Sequence, residues 1–133
     1  MTRIYSLADL PTRQLESART GEQYSLSQSL SDAAGLDCLL IHREVIAPGQ
    51  RASAPHRHSK KEELFWVLAG VATVVIGPAC FEVKAGEFIA IKPAQDFHYL
   101  ANQGQEPLII LSIGNRDGDD TTEFDVESTE TQS

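Results

Sequence analysis

The stretch His56-Arg57-His58-Ser59-Lys60-Lys61-Glu62-Glu63-Leu64-Phe65-Trp66-Val67-Leu68-Ala69-Gly70 decides how this chain is read. His56 and His58 stand two apart, and on a strand such residues share one face with Cα atoms ~6.6 Å apart, so two imidazoles can converge on one ion at ~2.1 Å. Ser59 to Glu62 is polar and suits a turn, after which Glu63 to Leu68 reads as a strand returning toward the pair. Glu63 is in phase with Phe65 and Val67, and Glu62 with Leu64 and Trp66, so only one of the two carboxylates faces an interior. Taken alone, a His-x-His pair is more often a hydrogen-bonded surface pair than a ligand set.

Outward from this stretch, the chain from Leu36 onward is a series of short β-rich segments. Strands are predicted near Cys38 to Ile46, Glu63 to Leu68, Ala72 to Ile76, Phe81 to Val83, Phe88 to Ile91, His98 to Asn102 and Leu108 to Ile113. Turn chemistry separates them at Pro48-Gly49, Gly70, Gly77-Pro78, Ala85-Gly86, Pro93 and Gly104. No segment carries a 3.6-residue period, so helix is a minor component of an all-β sandwich or barrel. Three of the strands, those at Glu63, Phe88 and Leu108, are apolar on both parities, which predicts cover on both faces, by the barrel interior and by a second sheet or subunit. A homodimer follows as an expectation, with Trp66 as its contact.

A third histidine, His98, opens a separate strand in phase with Asn102 and can reach the same ion from across a barrel. Three imidazoles and a carboxylate make a mixed nitrogen and oxygen site, which suits Fe, Mn, Ni, Co, Cu or Zn better than Ca or Mg. One or two coordination positions would be left for water or a ligand.

In these residues the chain resembles the cupin superfamily, whose two motifs it carries in order. The first motif runs Gly, five residues, His-x-His, three or four residues, Glu, six residues, Gly; here it is Gly49, His56-Arg57-His58, Glu63 and Gly70, with one residue more in the opening gap. The six-residue gap to Gly70 selects Glu63 over Glu62. The second motif runs Gly, five residues, Pro-x-Gly, two residues, His, three residues, Asn; here it is Gly86, Pro93-Ala94-Gln95, His98 and Asn102, again one residue longer before the proline. Gln95 replaces the usual glycine, which questions the conformation of that turn. Val71 to Ala85 lies between the motifs, a short spacer similar to that of small bacterial single-domain members of unassigned activity.

The resemblance covers about Leu36 to Ile113 and implies a double-stranded β-helix, a jelly-roll barrel, over 36–114. An irregular N-terminal arm over 1–35 and an acidic C-terminal tail over 115–133 flank it. Within the arm, Tyr24 to Ser31 fits an edge strand or a meandering loop. The resemblance also implies one divalent transition metal (Fe, Mn, Ni or Zn) on His56, His58, Glu63 and His98. It implies a small-molecule ligand or substrate, a sugar or carboxylic acid, turned over by a dioxygenase or isomerase reaction. The alternative is a non-catalytic cupin that binds or senses a small molecule. An enzyme needs an ionisable side chain beyond the four ligands; His42, in phase with Leu40 and Glu44, is the candidate general base or substrate contact, against a surface position.

Composition narrows the rest. The formal charge of −8 opposes a nucleic-acid or anionic-membrane partner. Much of it lies in Asp117, Asp119, Asp120, Glu123, Asp125, Glu127 and Glu130, read as a solvated tail that frays after about Val126. No apolar run reaches the ~20 residues of a membrane span and Met1 to Leu10 has no leader-like core, so the expected location is cytoplasmic. Cys38 and Cys80 are read as buried, inert thiols. Arg57, on the face opposite its flanking ligands, is read as structural or interfacial, and Phe65, Phe88, Phe97 and Tyr99 as core in preference to pocket lining.

Overall fold

The computed structural model describes residues 3–125. Its elements in chain order are β1 (Arg13–Glu16), β2 (Gln23–Ser29), α1 (Leu30–Ala34), β3 (Leu39–Ile46), β4 (His56–His58), β5 (Glu63–Ala69), β6 (Val71–Ile76), β7 (Ala79–Lys84), β8 (Phe88–Ile91), β9 (His98–Ala101), β10 (Leu108–Asn115) and β11 (Thr122–Phe124). They form two antiparallel sheets, one ordered β1-β2-β3-β10-β5-β8 and the other β11-β4-β9-β6-β7. This is the jelly-roll arrangement that the sequence implies. The seven expected strands are all present, with ends within two residues of their predicted positions.

The two sheets share one core. Ile46, Phe65, Val67, Ile91, Leu108 and Ile110 come from the six-stranded sheet and Ala72, Val74, Val83 and Leu100 from the five-stranded one. In β3, β5 and β10 these residues alternate with outward-facing ones, and register carries the inward face from strand to strand: Glu44, Ile110 and Val67 are partners, as are His42, Ser112 and Phe65. Glu63 and Gly114 continue the face to its open end. Gly70, between β5 and β6, has φ 82° and an added Cβ would stand 2.7 Å from the Pro107 carbonyl oxygen, so backbone conformation and backbone contact both exclude a side chain there.

Several expectations change. Residues 1–35 are more ordered than an irregular arm: β1 and β2 extend the sheet of β3, which makes Tyr24 to Ser31 a strand in its first part. Alternation of inward Ser25 and Ser27 with Tyr24 and Leu26 is a strand pattern whose buried residues happen to be hydroxyls. The rest of that stretch turns into α1, where Ser29 caps the Asp32 amide and Gly35 closes the helix in the left-handed region. Helix is otherwise confined to a single 3-10 turn at Leu7–Asp9 among the described residues. The acidic segment after Asn115 returns as β11 and pairs with β4; the fraying expected after about Val126 lies outside the described residues. Cys38 and Cys80 are exposed, not buried, because one precedes β3 in a loop and the other is on β7, an edge strand with only Val83 buried. At the Pro93 turn the positive φ falls on Ala94 (58°), one residue before Gln95, whose side chain accepts the Lys92 amide at 3.0 Å.

Candidate metal centre

Sheet pairing assembles the four predicted residues at one end of the core. The three-residue strand β4 pairs with β9 through His56 and His98, whose rings stand 4.6 Å apart. Glu63 enters from the other sheet as the first residue of β5. Its Oε1 is 3.1 Å from His98 Nε2, 3.2 Å from His58 Nε2 and 3.9 Å from His56 Nε2. The donor atoms of His56, Glu63 and His98 all lie within 4.8 Å of one another, and His58 reaches the same carboxylate from outside that triad. Ligands ~2.1 Å from a common ion are separated by ~3 to 4 Å, so the donor set and its spacing fit one transition metal. Glu62, by contrast, is exposed and its backbone amide donates to Asn115.

Two of the three outer imidazole nitrogens are held by hydrogen bonds. His56 Nδ1 is 2.9 Å from the Ala54 carbonyl, which can only accept, so this nitrogen carries the proton and Nε2 is turned inward. His58 Nδ1 is 2.9 Å from Asp120 Oδ2, with the Thr122 hydroxyl at 3.2 Å. His98, 2 % exposed, leaves Nδ1 without a partner among the described residues.

Electrostatics agree with this geometry. Burial would push the Glu63 carboxyl up, but hydrogen bonds from His58 and His98 and the nearby imidazoles outweigh it and hold Glu63 well below the usual carboxylate range. The Glu63 carboxylate is therefore ionised. Burial lowers His56, whereas the hydrogen bond with Glu63 and the charge of Asp120 raise His58. Asp120 is held down to about 2: burial opposes ionisation, and the Lys60 and Lys61 amides and His58 overcome it.

Asp120 corrects the reading of a solvated tail. Its side chain is 3 % exposed and accepts the Lys60 and Lys61 amides at 2.8 and 3.0 Å. In sequence Asp120 is one acid among several, and nothing local to it singles it out. Arg57, outward on β4, pairs with Glu123 at 2.6 Å and stacks 4.4 Å over Phe97, the structural role expected. Phe65 is core as expected; Phe88, read as core, is instead 62 % exposed because β8 is an edge strand, and Phe97 and Tyr99 are half-buried beside a cleft that Pro55 and Val75 also line.

His42 is half-buried on the inward face, not at the surface. With Arg13, Ser27, Ser29, Asp32 and Glu44 it lines a cavity of about 430 Å³ between β1, β2, β3 and α1. Sequence reasoning missed Glu44, the buried acid of this cavity, whose carboxyl accepts the Ser25 hydroxyl at 2.5 Å. Burial pushes Glu44 up, the Ser25 hydrogen bond counters in part, and the negative charge of Glu63 adds to the rise. Its signal was its phase with Ile46, a core position.

The cupin domain family model matches residues 42–114, more than half of the chain. An uncharacterised protein of Methanocaldococcus jannaschii is 35 % identical over 68 residues, 51 % of this chain and 54 % of the relative, so the match spans about half the length of that relative. Among solved structures, a candidate sugar phosphate isomerase of Acidithiobacillus ferrooxidans is similar at TM-score 0.81 and 25 % identity, over 93 % of this chain and 81 % of that one. A sugar phosphate isomerase of the cupin superfamily from Silicibacter pomeroyi superposes at TM-score 0.84 with 21 % identity, over 92 % and 81 %, which is a likeness of fold.

Proposed function

This chain belongs to the cupin domain family, and from that premise we propose that it is a metal-dependent isomerase acting on a small hydroxylated organic substrate, a sugar or a sugar acid or phosphate. His56, His58, Glu63 and His98 hold one divalent transition metal in this reading, with Fe, Mn, Ni and Zn as candidates. Such an ion supplies Lewis-acid polarisation of a substrate oxygen. The observation that carries the enzymatic reading is Glu44: a buried carboxyl with a raised pKa, on the same inward face as Glu63 and separate from the four ligands. An isomerisation takes a proton from one carbon and returns one to its neighbour, and a carboxyl raised above its ordinary range is suited to both halves of that transfer. His42, in the same cavity, orients a substrate hydroxyl, and Arg13, exposed at its rim, takes an anionic substituent. The 25 % identity with the Acidithiobacillus protein supports this substrate class.

The test is solvent-proton exchange into a panel of free and phosphorylated sugars and hydroxy acids by the metal-loaded protein, followed by NMR. Exchange should fall about 10²- to 10⁴-fold in Glu44→Gln while ligand binding persists. Ligands that bind with neither exchange nor conversion would instead favour the sensing cupin.

We propose also that a second copy covers the outer face of the six-stranded sheet. Trp66 and Leu68 on β5 are each 43 % exposed, and Phe88 on the adjacent β8 lies beside them as the partner of Trp66. An apolar patch on a sheet face is what a homodimer buries.

A further inference from the structure

We propose that Asp120 is a positioning residue of the metal centre, and that the C-terminal segment through β11 is a strap that belongs to that centre. This inference rests on the reading of His56, His58, Glu63 and His98 as ligands.

The strap begins where β10 ends. From Asn115 the chain turns, crosses the β4–β5 connection and lies beside β4 with Thr122 opposite His58 and Phe124 opposite His56. A second set of bonds ties it to the turn between the two ligand strands: the Ser59 amide donates to the Thr121 carbonyl and the Thr121 amide to the Ser59 hydroxyl. Asp120 stands at the centre of this junction. Its Oδ1 accepts the amides of Lys60 and Lys61, in the turn that separates His58 from Glu63, while its Oδ2 faces His58 Nδ1 at 2.9 Å. One carboxylate thus sets both the path of the turn and the orientation of the imidazole.

The chemistry of the acceptor gives this arrangement its consequence. An ionised carboxylate can only accept, so it keeps a proton on Nδ1 and leaves the Nε2 lone pair for the ion, and its charge makes that nitrogen a better donor. His56 obtains the same constraint locally, from the Ala54 carbonyl two residues away. For His58 it comes from 62 residues downstream. The orientation of His58 therefore depends on a segment outside the matched 42–114 region, although all four ligand residues lie within it.

Asp120→Asn separates positioning from support. The amide oxygen can still accept from Lys60 and Lys61, but an NH₂ donor replaces the acceptor opposite Nδ1 and favours the tautomer with its proton on Nε2, the nitrogen that faces Glu63. Full-length wild type, Asp120→Asn and Glu123→Gln should be compared for zinc and manganese affinity by chelator competition, and for thermal midpoint when metal-free. Glu123→Gln breaks the Arg57 ion pair on the same strap without touching a ligand. Asp120→Asn should weaken affinity about 10- to 100-fold, with the metal-free midpoint close to that of wild type. Glu123→Gln should change affinity by less than about twofold. Wild-type affinity in Asp120→Asn, or an equal loss in Glu123→Gln, would overturn the role of Asp120 while leaving the metal reading intact. A wild-type protein that binds neither ion would overturn both.

Discussion

The inward faces of the same strands are apolar at one end of the molecule and ionisable at the other. On β5 the face runs Glu63, Phe65, Val67; on β9 it runs His98, Leu100; on β10 it runs Gly114, Ser112, Ile110, Leu108. At the apolar end, Ile46, Val74, Leu108 and Ile110 are fully buried and interchangeable in kind, since any side chain of suitable volume satisfies the packing. At the other end the Glu63 carboxylate and the outer nitrogens of His56 and His58 each have a specific partner, and the cost of error is an unpaired charge or a misdirected lone pair. The first end gives rigidity and the second uses it: three imidazoles from two strands meet one carboxylate oxygen because the core beneath fixes how the sheets lie.

The sharpest way to break this contrast is to alter a ligand. Glu63→Gln should weaken binding of the divalent ion beyond the ~100-fold that a supporting residue costs, whereas Glu62→Gln should change it by less than about twofold, both measured by titration of metal-free protein. Equal losses would mean that the wrong carboxylate has been assigned. Next in size is the core. Leu100→Ala, two residues along β9 from His98, should lower unfolding free energy by about 2–5 kcal/mol in urea denaturation. If the two ends are separable, metal stoichiometry at saturation stays that of wild type in this variant; a changed stoichiometry would show that the core also selects the ligand geometry.

A smaller effect concerns the outer face. Trp66→Lys places a charge in the exposed apolar patch and should move sedimentation from dimer to monomer, with metal affinity unaltered. Wild type sedimenting as a monomer would remove the dimer from the account. The smallest effect is a pH dependence. Glu44 is raised from its usual 4.5, so between 4.5 and its folded value the native state holds a proton that the unfolded chain has lost. Stability in that window falls as pH rises, and the contribution is fully present only below 4.5. Glu44→Gln should flatten the slope of unfolding free energy against pH, and an unchanged slope would assign the dependence to another group.

Much of the candidate site was legible because its four side chains leave a dense local signature. His56 and His58 share a strand face, Glu63 follows at one turn's distance, and His98 opens a strand of its own. On β5 strand parity separated Glu63, Phe65 and Val67 from Glu62, Leu64 and Trp66, because the period of two survives any topology, and the gap to Gly70 chose between the two sets; β10, apolar on both parities, allowed no such division. Glu44 was hidden because a lone acid in an apolar strand reads as a surface position even when it is in phase with Ile46, and its partner Ser25 lies on β2 in a segment whose hydroxyls imitate a polar loop. Asp120 was hidden by company. Composition describes the average acid between Asp117 and Asp125, whereas the hydrogen bonds to Lys60, Lys61 and His58 single out one of them through a contact spanning some sixty residues. The exposed cysteines were misread for a related reason: the apolar habit of the residue says nothing about whether its strand lies at a sheet edge.

The measurement that bears most directly on the central claim is the stoichiometry of divalent transition metal bound by the purified full-length chain, by elemental analysis, alongside Glu63→Gln prepared in the same way. One ion per chain in the wild type and its loss in the variant is the expected result. A wild-type chain that refuses every divalent transition metal, or a variant that retains a full complement, would contradict it.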